Sequence, residues 1–355
     1  MKVGITYHEK FSQYDLGADH PFKGERFSNV MNLFEEQGLL NLPNVTVMKP
    51  EPLAMRDLLR VHDKEYVDNI FSFAEANKPY DVETPVSPQI LEAALLISGG
   101  AIAAGKAVYS GWVQRAVALG GGFHHARRKY GGGFCLFNDV AVLAESLRLE
   151  YGVKRLLILD YDVHFGDGTS DIYYSDPEVL FISLHQDPRT IYPGTGFVEE
   201  IGEMAGKGYN VNVPLPPGTG DQTYLKALKE VFVPLAEEFK PEIILANGGS
   251  DAHFADRLGD LGLTVNGFFR LSQTVVETAE KVCDGKIVLL VGSGYNPTVL
   301  PLCWFAITAG VVGLEKIGLS DPFAPPDEPS WCRQKVRKTI AELKRFLRKY
   351  WRSFR

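Results

Sequence analysis

Short runs of aliphatic residues, apolar on both faces, recur along the chain at 116–119, 155–159, 179–184, 242–246 and 286–291. Two-sided apolar character marks strands buried within a parallel sheet, whereas a half-solvated strand alternates. Between these runs lie stretches with apolar residues at helical spacing, at 138–149, 222–238 and 271–283. The opening segment MKVGITYHEKFS reads as a further strand and lacks the charged-then-apolar order of a signal peptide. Repeated strand–helix units predict an α/β fold, a parallel sheet with helices on both faces. No internal repeat, low-complexity stretch or linker divides the chain, so a single domain is expected over 1–330, with a separate C-terminal segment at 331–355.

Chemically interesting residues follow these strands closely. Gly-Gly-Gly-Phe-His-His at 120–125 follows the first run, and Asp-Tyr-Asp-Val-His at 160–164 closes the second. Gly-Gly-Ser-Asp at 248–251 follows the fourth, and Gly-Ser-Gly-Tyr at 292–295 the fifth. Ligands of open α/β sheets bind at the carboxyl ends of the strands, so four segments are expected to bring polar groups to one crevice.

In LLILDYDVHFGDG, alternation would put Asp160, Asp162 and His164 on one face of a strand. Three polar groups ending an apolar strand are costly to bury unless they are paired or ligate something. Asp162 and His164 could hold one metal with Asp251 of NGGSD as third ligand, leaving a position open for water or substrate. Zinc suits mixed nitrogen and oxygen ligation, and ligand type alone leaves iron(II) and manganese open. The bland alternative is a buried carboxylate network capping strand ends. Tandem His124 and His125 sit behind three glycines that let the backbone turn tightly. Asp160 and Asp167 are natural partners for them, each orienting one imidazole and raising its basicity.

Composition narrows the class. With 45% hydrophobic and 23% charged residues, the 355-residue chain can bury a sizeable core. No apolar run reaches the roughly 18 residues that a membrane span needs. Cys135, Cys283, Cys303 and Cys332 are scattered, which excludes a zinc knuckle and points to a reducing, cytoplasmic compartment. The net charge of −7 conceals a contrast: residues 333–355 carry ten Lys/Arg against Glu342 alone, or +9, leaving −16 on the remainder. An acidic body argues against a dedicated nucleic-acid site. In the tail, Val336, Ile340, Leu343, Leu347, Trp351 and Phe354 fall at helical spacing opposite a basic face. A helix docked on the body is expected; the alternative is service to a partner subunit, an anionic surface or an acidic macromolecule.

GGGFHHA, DYDVHFGDGT, SLHQDPRTIYPGTG, NGGSDAH and GSGYNP occur in the order and spacing of the zinc-dependent histone deacetylase family, which the chain resembles from residue 1 to about 313. HPFKGER at 20–26 is similar to that family's N-terminal signature, particularly in its bacterial and archaeal acetoin-utilisation branch. The resemblance implies the three-layer arginase/deacetylase-like fold, with about eight parallel strands between helices. It implies one catalytic Zn2+ held by Asp162, His164 and Asp251. His125 with Asp167 would be the general base, His124 with Asp160 an electrostatic or acid partner, and Tyr295 the carbonyl polariser. Phe134 and Tyr192 would wall a channel, with Gly133 beside it, Leu258 on its floor and Glu83 at its rim. Arg26 would lie near an inner cavity for acetate. A structural K+ would take carbonyls of Asp160, Asp162, His164 and Leu184 with the Ser183 hydroxyl. The implied reaction is hydrolysis of an N-acetylated amine by water at the metal.

Tyr192 replaces the commoner Phe of the family, Glu83 a commoner Asp, and Leu258 the glutamate of the polyamine-selective animal enzymes. The last departure weakens an acetylpolyamine substrate without removing it, beside a protein acetyl-lysine or another small acetylated amine, and a homo-oligomer is possible. His185 and His253 read as structural or supporting groups, His8, His20 and His62 carry no metal-spacing signal, and Asp256 is expected to stabilise the loop after Asp251. A two-manganese ureohydrolase is the rival enzyme; Phe165-Gly166-Asp167 after His164 disfavours it. A non-catalytic binder of acetylated ligands is the rival outside enzymes, and it would need no complete set of ligands, histidines and tyrosine.

Overall fold

The computed structural model describes Met1–Arg355 throughout. Its strands are β1 (Val3–Thr6), β2 (Val45–Met48), β3 (Arg115–Leu119), β4 (Leu156–Asp160), β5 (Val179–Gln186), β6 (Asn210–Leu215), β7 (Ile243–Gly249) and β8 (Ile287–Ser293). They form one parallel sheet of eight strands, ordered β2-β1-β3-β8-β7-β4-β5-β6 and flanked by helices. The helices are α1 (Arg26–Glu36), α2 (Met55–Leu58), α3 (Lys64–Glu75), α4 (Pro88–Tyr109), α5 (Asp139–Tyr151), α6 (Asp167–Tyr173), α7 (Asp221–Phe239), α8 (Val265–Cys283), α9 (Leu300–Val312) and α10 (Ser330–Leu347). Every residue of β3, β4, β5, β6 and β7 is buried, as two-sided helix cover requires.

The chain folds as two compact units. One comprises Met1–Val153, Asp167–Ile172 and Val288–Gly292, the other Lys154–Gly166, Tyr173–Ile287 and Ser293–Arg355. In the first, β1 pairs in parallel with β2 and β3, and α4 packs on β1, β3 and α5. Helix α4 begins where Ser87 accepts the Ile90 amide at 3.2 Å and Pro88 supplies a pre-set first turn. Its 22 residues reach a mean hydropathy of 1.5 over an 18-residue window, so one helix is long and apolar enough to span a membrane. The uncharged apolar run inside it, 93–105 between Glu92 and Lys106, stays below the roughly 18 residues of a span. Some 78% of the window is buried against the protein, the signature of a core helix.

In the second unit β4 lies between β7 and β5, and β5 pairs with β6. Helix α8 packs on α7 and α9, and α10 covers β6 and α7. Cys332, Val336, Ile340, Leu343 and Leu347 form the buried stripe of α10, each at most 3% exposed. Beyond it, Trp351 and Phe354 are buried too, and the Trp351 indole donates to the Gly208 carbonyl at 2.7 Å. Each aliphatic side chain so buried contributes about 1.5–3 kcal/mol, enough to hold a helix whose outer face is basic.

Candidate active site

A turn after β3 carries the two histidines of the first unit. Asp139, the first residue of α5, anchors this turn: its carboxylate accepts the Gly122 amide at 3.0 Å and the Phe123 amide at 2.8 Å. Burial dominates there and pushes the Asp139 carboxyl up to about 6 despite those amides. Asn138 caps α5 through the Ala141 amide (2.9 Å) and donates its Nδ2 to the Ala126 carbonyl at 3.0 Å. With its backbone clamped, the turn presents His124 and His125 with their Nε2 atoms 3.0 Å apart. His125 Nδ1 lies 2.7 Å from Asp167 Oδ1, and Arg127 reaches Asp167 Oδ2 at 2.9 Å. Burial would raise the Asp167 carboxyl, but His125 and Arg127 outweigh it and hold it below its ordinary range. Asp167 therefore stays an anion and fixes the proton of His125 on Nδ1, leaving Nε2 as the basic nitrogen.

Close to that pair, Gly133 has a positive φ of 54°, and a Cβ there would overlap the His125 imidazole. Phe134 also has a positive φ, 69°, held by the Tyr14 hydroxyl donating to its carbonyl at 2.6 Å. The His20 ring meets the Phe134 ring edge-on at 4.4 Å, and His20 Nε2 contacts the Glu83 carbonyl at 3.2 Å. Exposed Glu83 thus meets this cluster through its backbone, and Asp81 shapes its turn by accepting the Glu83 amide at 2.8 Å. Arg26 is 5% exposed, donates to the Gly292 carbonyl at 3.0 Å and lies over the Phe22 ring at 3.6 Å.

In the second unit, Asp162, His164 and Asp251 bring one ligand atom each within 4.8 Å of one another, all three buried. Strand alternation does not account for it: β4 stops at Asp160, and 162–164 form a bend. Two local turns do the positioning instead, the Asp162 amide donating to Asp160 Oδ1 at 3.2 Å and the His164 amide to Asp162 Oδ1 at 2.8 Å. Asp160 also accepts Asn247 Nδ2 at 3.2 Å. His164 Nδ1 lies 3.1 Å from Asp162 Oδ1 and 3.4 Å from Asp251 Oδ2. Burial opposes protonation of His164, yet the two carboxylates outweigh it and push the imidazole up to about 10. Burial and the charge of Asp162 push Asp251 up to about 7. One imidazole and two carboxylates with ligand atoms within 4.8 Å of one another fit a divalent cation.

Tyr295, 8% exposed, follows β8. Its amide donates to Asp256 Oδ2 at 2.7 Å, the Asn296 amide to the same oxygen at 3.2 Å, and the Leu258 amide to Asp256 Oδ1 at 3.0 Å. Asp256 therefore ties the tyrosine turn to the loop that carries Leu258. Gly294 enters this turn at φ 124°, and a Cβ there would overlap the Ser250 hydroxyl. Tyr192 is 48% exposed with its ring centroid 6.5 Å from that of His164. Ser183 Oγ meets His185 Nδ1 at 2.8 Å, and the Leu184 carbonyl accepts the Tyr224 hydroxyl at 3.1 Å. His253 donates to Asp321 at 2.6 Å, fixing the loop after Asp251 to the segment following α9.

The roles of Asn138, Asp139, His62 and Tyr14, and the link from Asp256 to Tyr295, escaped the sequence reading, in which His62 only lacked a metal-spacing signal. Asn138 and Asp139 had a local signal, an Asn-Asp pair opening a helix; the others act across distances that no spacing reveals.

The profile of the family described as "Histone deacetylase domain" matches residues 20–311. A curated relative named "Probable deacetylase" from Archaeoglobus fulgidus is 36% identical over the full length of both chains. The "Acetoin utilization protein AcuC" of Staphylococcus aureus is 34% identical over 85% of this chain and 80% of its own. The "Histone deacetylase-like amidohydrolase" of Pseudomonas aeruginosa is 34% identical over 87% and 81%. Among solved structures, one titled "Crystal Structure of HDA15 HD domain" superposes with a TM-score of 0.85 at 26% identity, covering 99% of this chain and 97% of that one.

Proposed function

Since the chain belongs to the histone deacetylase family, we propose that it is a zinc-dependent deacetylase that hydrolyses an N-acetylated amine to the free amine and acetate. The observation that carries the reading is the buried Asp162, His164 and Asp251 triad, whose ligand atoms lie within 4.8 Å of one another. A zinc ion held there supplies Lewis acidity, polarising the acetyl carbonyl and acidifying the attacking water.

The chain's own groups do the rest. His125, with Asp167 on its Nδ1, takes the water proton at Nε2. His124, whose Nε2 faces that of His125 at 3.0 Å, carries the compensating charge, with Asp160 as its proposed partner. The histidine pair then returns a proton to the departing amine. Tyr295 donates its hydroxyl to the developing oxyanion from a turn clamped by Asp256. Phe134 and Tyr192, with Gly133, Leu258 and the rim residue Glu83, line the path of the acetylated chain, and Arg26 stands by the acetate exit. The carbonyls of Asp160, Asp162, His164 and Leu184, with Ser183, would cradle a potassium ion. Four free, buried thiols support a reducing compartment such as the cytoplasm.

Acetate release from an acetyl-lysine peptide and from acetylated polyamines tests the reading. Tyr295→Phe should lower kcat about 10²–10³-fold while bound zinc per chain is unchanged. Two manganese ions per chain, or tight binding without turnover of every acetylated amine tried, would refute it.

A further inference from the structure

Asp187 lies directly after β5, at the root of the loop 187–196 that carries Tyr192. It is 4% exposed. Its Oδ1 accepts the Arg189 amide at 3.1 Å, and its carbonyl accepts the Thr190 amide at 2.8 Å and the Thr190 hydroxyl at 2.7 Å. Gln186 completes the knot, donating to Thr190 Oγ1 at 3.0 Å and accepting the Asp260 amide at 2.7 Å, two residues beyond Leu258. The far end of the loop is pinned where His185 Nε2 meets the Gly196 carbonyl at 2.9 Å. The Asp187 amide donates to the Leu215 carbonyl of β6 at 2.7 Å, and the Arg189 guanidinium reaches Asp187 Oδ1 at 3.1 Å and Oδ2 at 3.3 Å. The side-chain contact that comes from a distant part of the chain is Lys335 Nζ on α10, 3.1 Å from Oδ2.

Helix α10 lies outside residues 20–311, the span matched by the family profile. The buried stripe of α10 fixes where Lys335 stands, and a buried carboxylate gains more from a charged donor than an exposed one does. Asp187 accordingly lies below the ordinary carboxylate range, because the Arg189 amide and the Lys335 ammonium outweigh the opposing effect of burial.

We propose that Lys335 is a positioning residue for the substrate channel: through Asp187, the C-terminal helix holds the loop that carries Tyr192. The assignment of Tyr192 to the channel rests on the deacetylase reading; the mechanical link does not, and two measurements separate them. Arg189 is exposed, its side chain 67% accessible, so trypsin reads the loop directly. In Lys335→Met, tryptic cleavage after Arg189 should quicken about three- to tenfold, the net scale of one ordinary hydrogen bond, since the lysine is half exposed. KM for an acetyl-lysine peptide should rise by a similar factor with kcat within about twofold. Lys335→Arg should restore both, and Lys338→Met, on the exposed side of the same helix, should change neither. Cleavage after Arg189 at the wild-type rate in Lys335→Met overturns the proposal. So does a fall in kcat and melting temperature with KM unchanged, which marks a purely structural contact. Faster cleavage in a protein that turns over no acetylated amine would uphold the loop clamp and overturn the deacetylase reading alone.

Discussion

Acidification should unfold this protein through His62 before most of its carboxylates matter. His62 is 2% exposed; its Nε2 accepts the Asn138 amide at 2.9 Å and its Nδ1 donates to the Arg127 carbonyl at 2.9 Å. Only the neutral ring satisfies both, because a protonated Nε2 would present a hydrogen to an N–H. Burial pushes its pKa down from 6.5 to about 4, the carbonyl bonds opposing only in part. The folded value lies below the unfolded one, so the stabilising contribution is whole above about pH 6.5 and is lost as pH falls toward about 4. At 1.36 kcal/mol per pH unit that window is worth roughly 3 kcal/mol, a large share of an ordinary folding free energy. Urea unfolding at pH 7.5 and 4.5, on wild type and His62→Gln, isolates it. The glutamine keeps an acceptor and a donor and does not titrate, so wild type should lose about 2–3 kcal/mol more than the variant over this interval. Parallel losses in the two proteins would refute the reasoning. Asn138 also holds the Ala126 carbonyl behind the histidine turn, so activity at pH 5 should fall alongside stability.

Two further outcomes are expected. Asp256→Ala frees the amides of Leu258, Tyr295 and Asn296; kcat should fall about 10–100-fold, the loss of roughly 1.4–3 kcal/mol of positioning, with zinc content unchanged and Asp256→Asn intermediate. Trp351→Ala removes a buried indole and its bond to the Gly208 carbonyl, and should cost about 3–5 kcal/mol in chemical unfolding.

What could be read from the sequence divides along a physical line. Central strands β3, β4, β5, β7 and β8 stood out because helices cover both faces, which makes their residues apolar without interruption. The strands missed, β2 and β6, are the two ends of the sheet. Three of the four β2 residues are not fully buried, and β6 alternates Asn210 and Asn212 with valines, their side-chain amides spent on the Phe197 and Glu200 carbonyls. Helix α8 starts at Val265, six residues before the apolar pattern suggested, because Thr264 caps it through the Gly267 amide at 3.0 Å. Gly267 looks like a breaker in sequence, but in the fold it is the residue that lets Asp221 approach the helix.

The metal cluster teaches the sharper lesson. The residues Asp162 and His164 were singled out on the premise of an alternating strand, and the strand is not there; carboxylate–amide turns bring them together instead. Spacing of two is shared by both geometries, since an aspartate side chain reaches the amide two residues on as readily as a strand returns a side chain to the same face. Motif spacing therefore selected residues without selecting a conformation. For the groups that clamp the site no spacing exists at all: Asp256 to Tyr295 spans 39 residues, Asp187 to Lys335 spans 148. Such links are set by where the sheet and its helices place the chain, so the chemistry of this site is written in short motifs while its rigidity is written only in the fold.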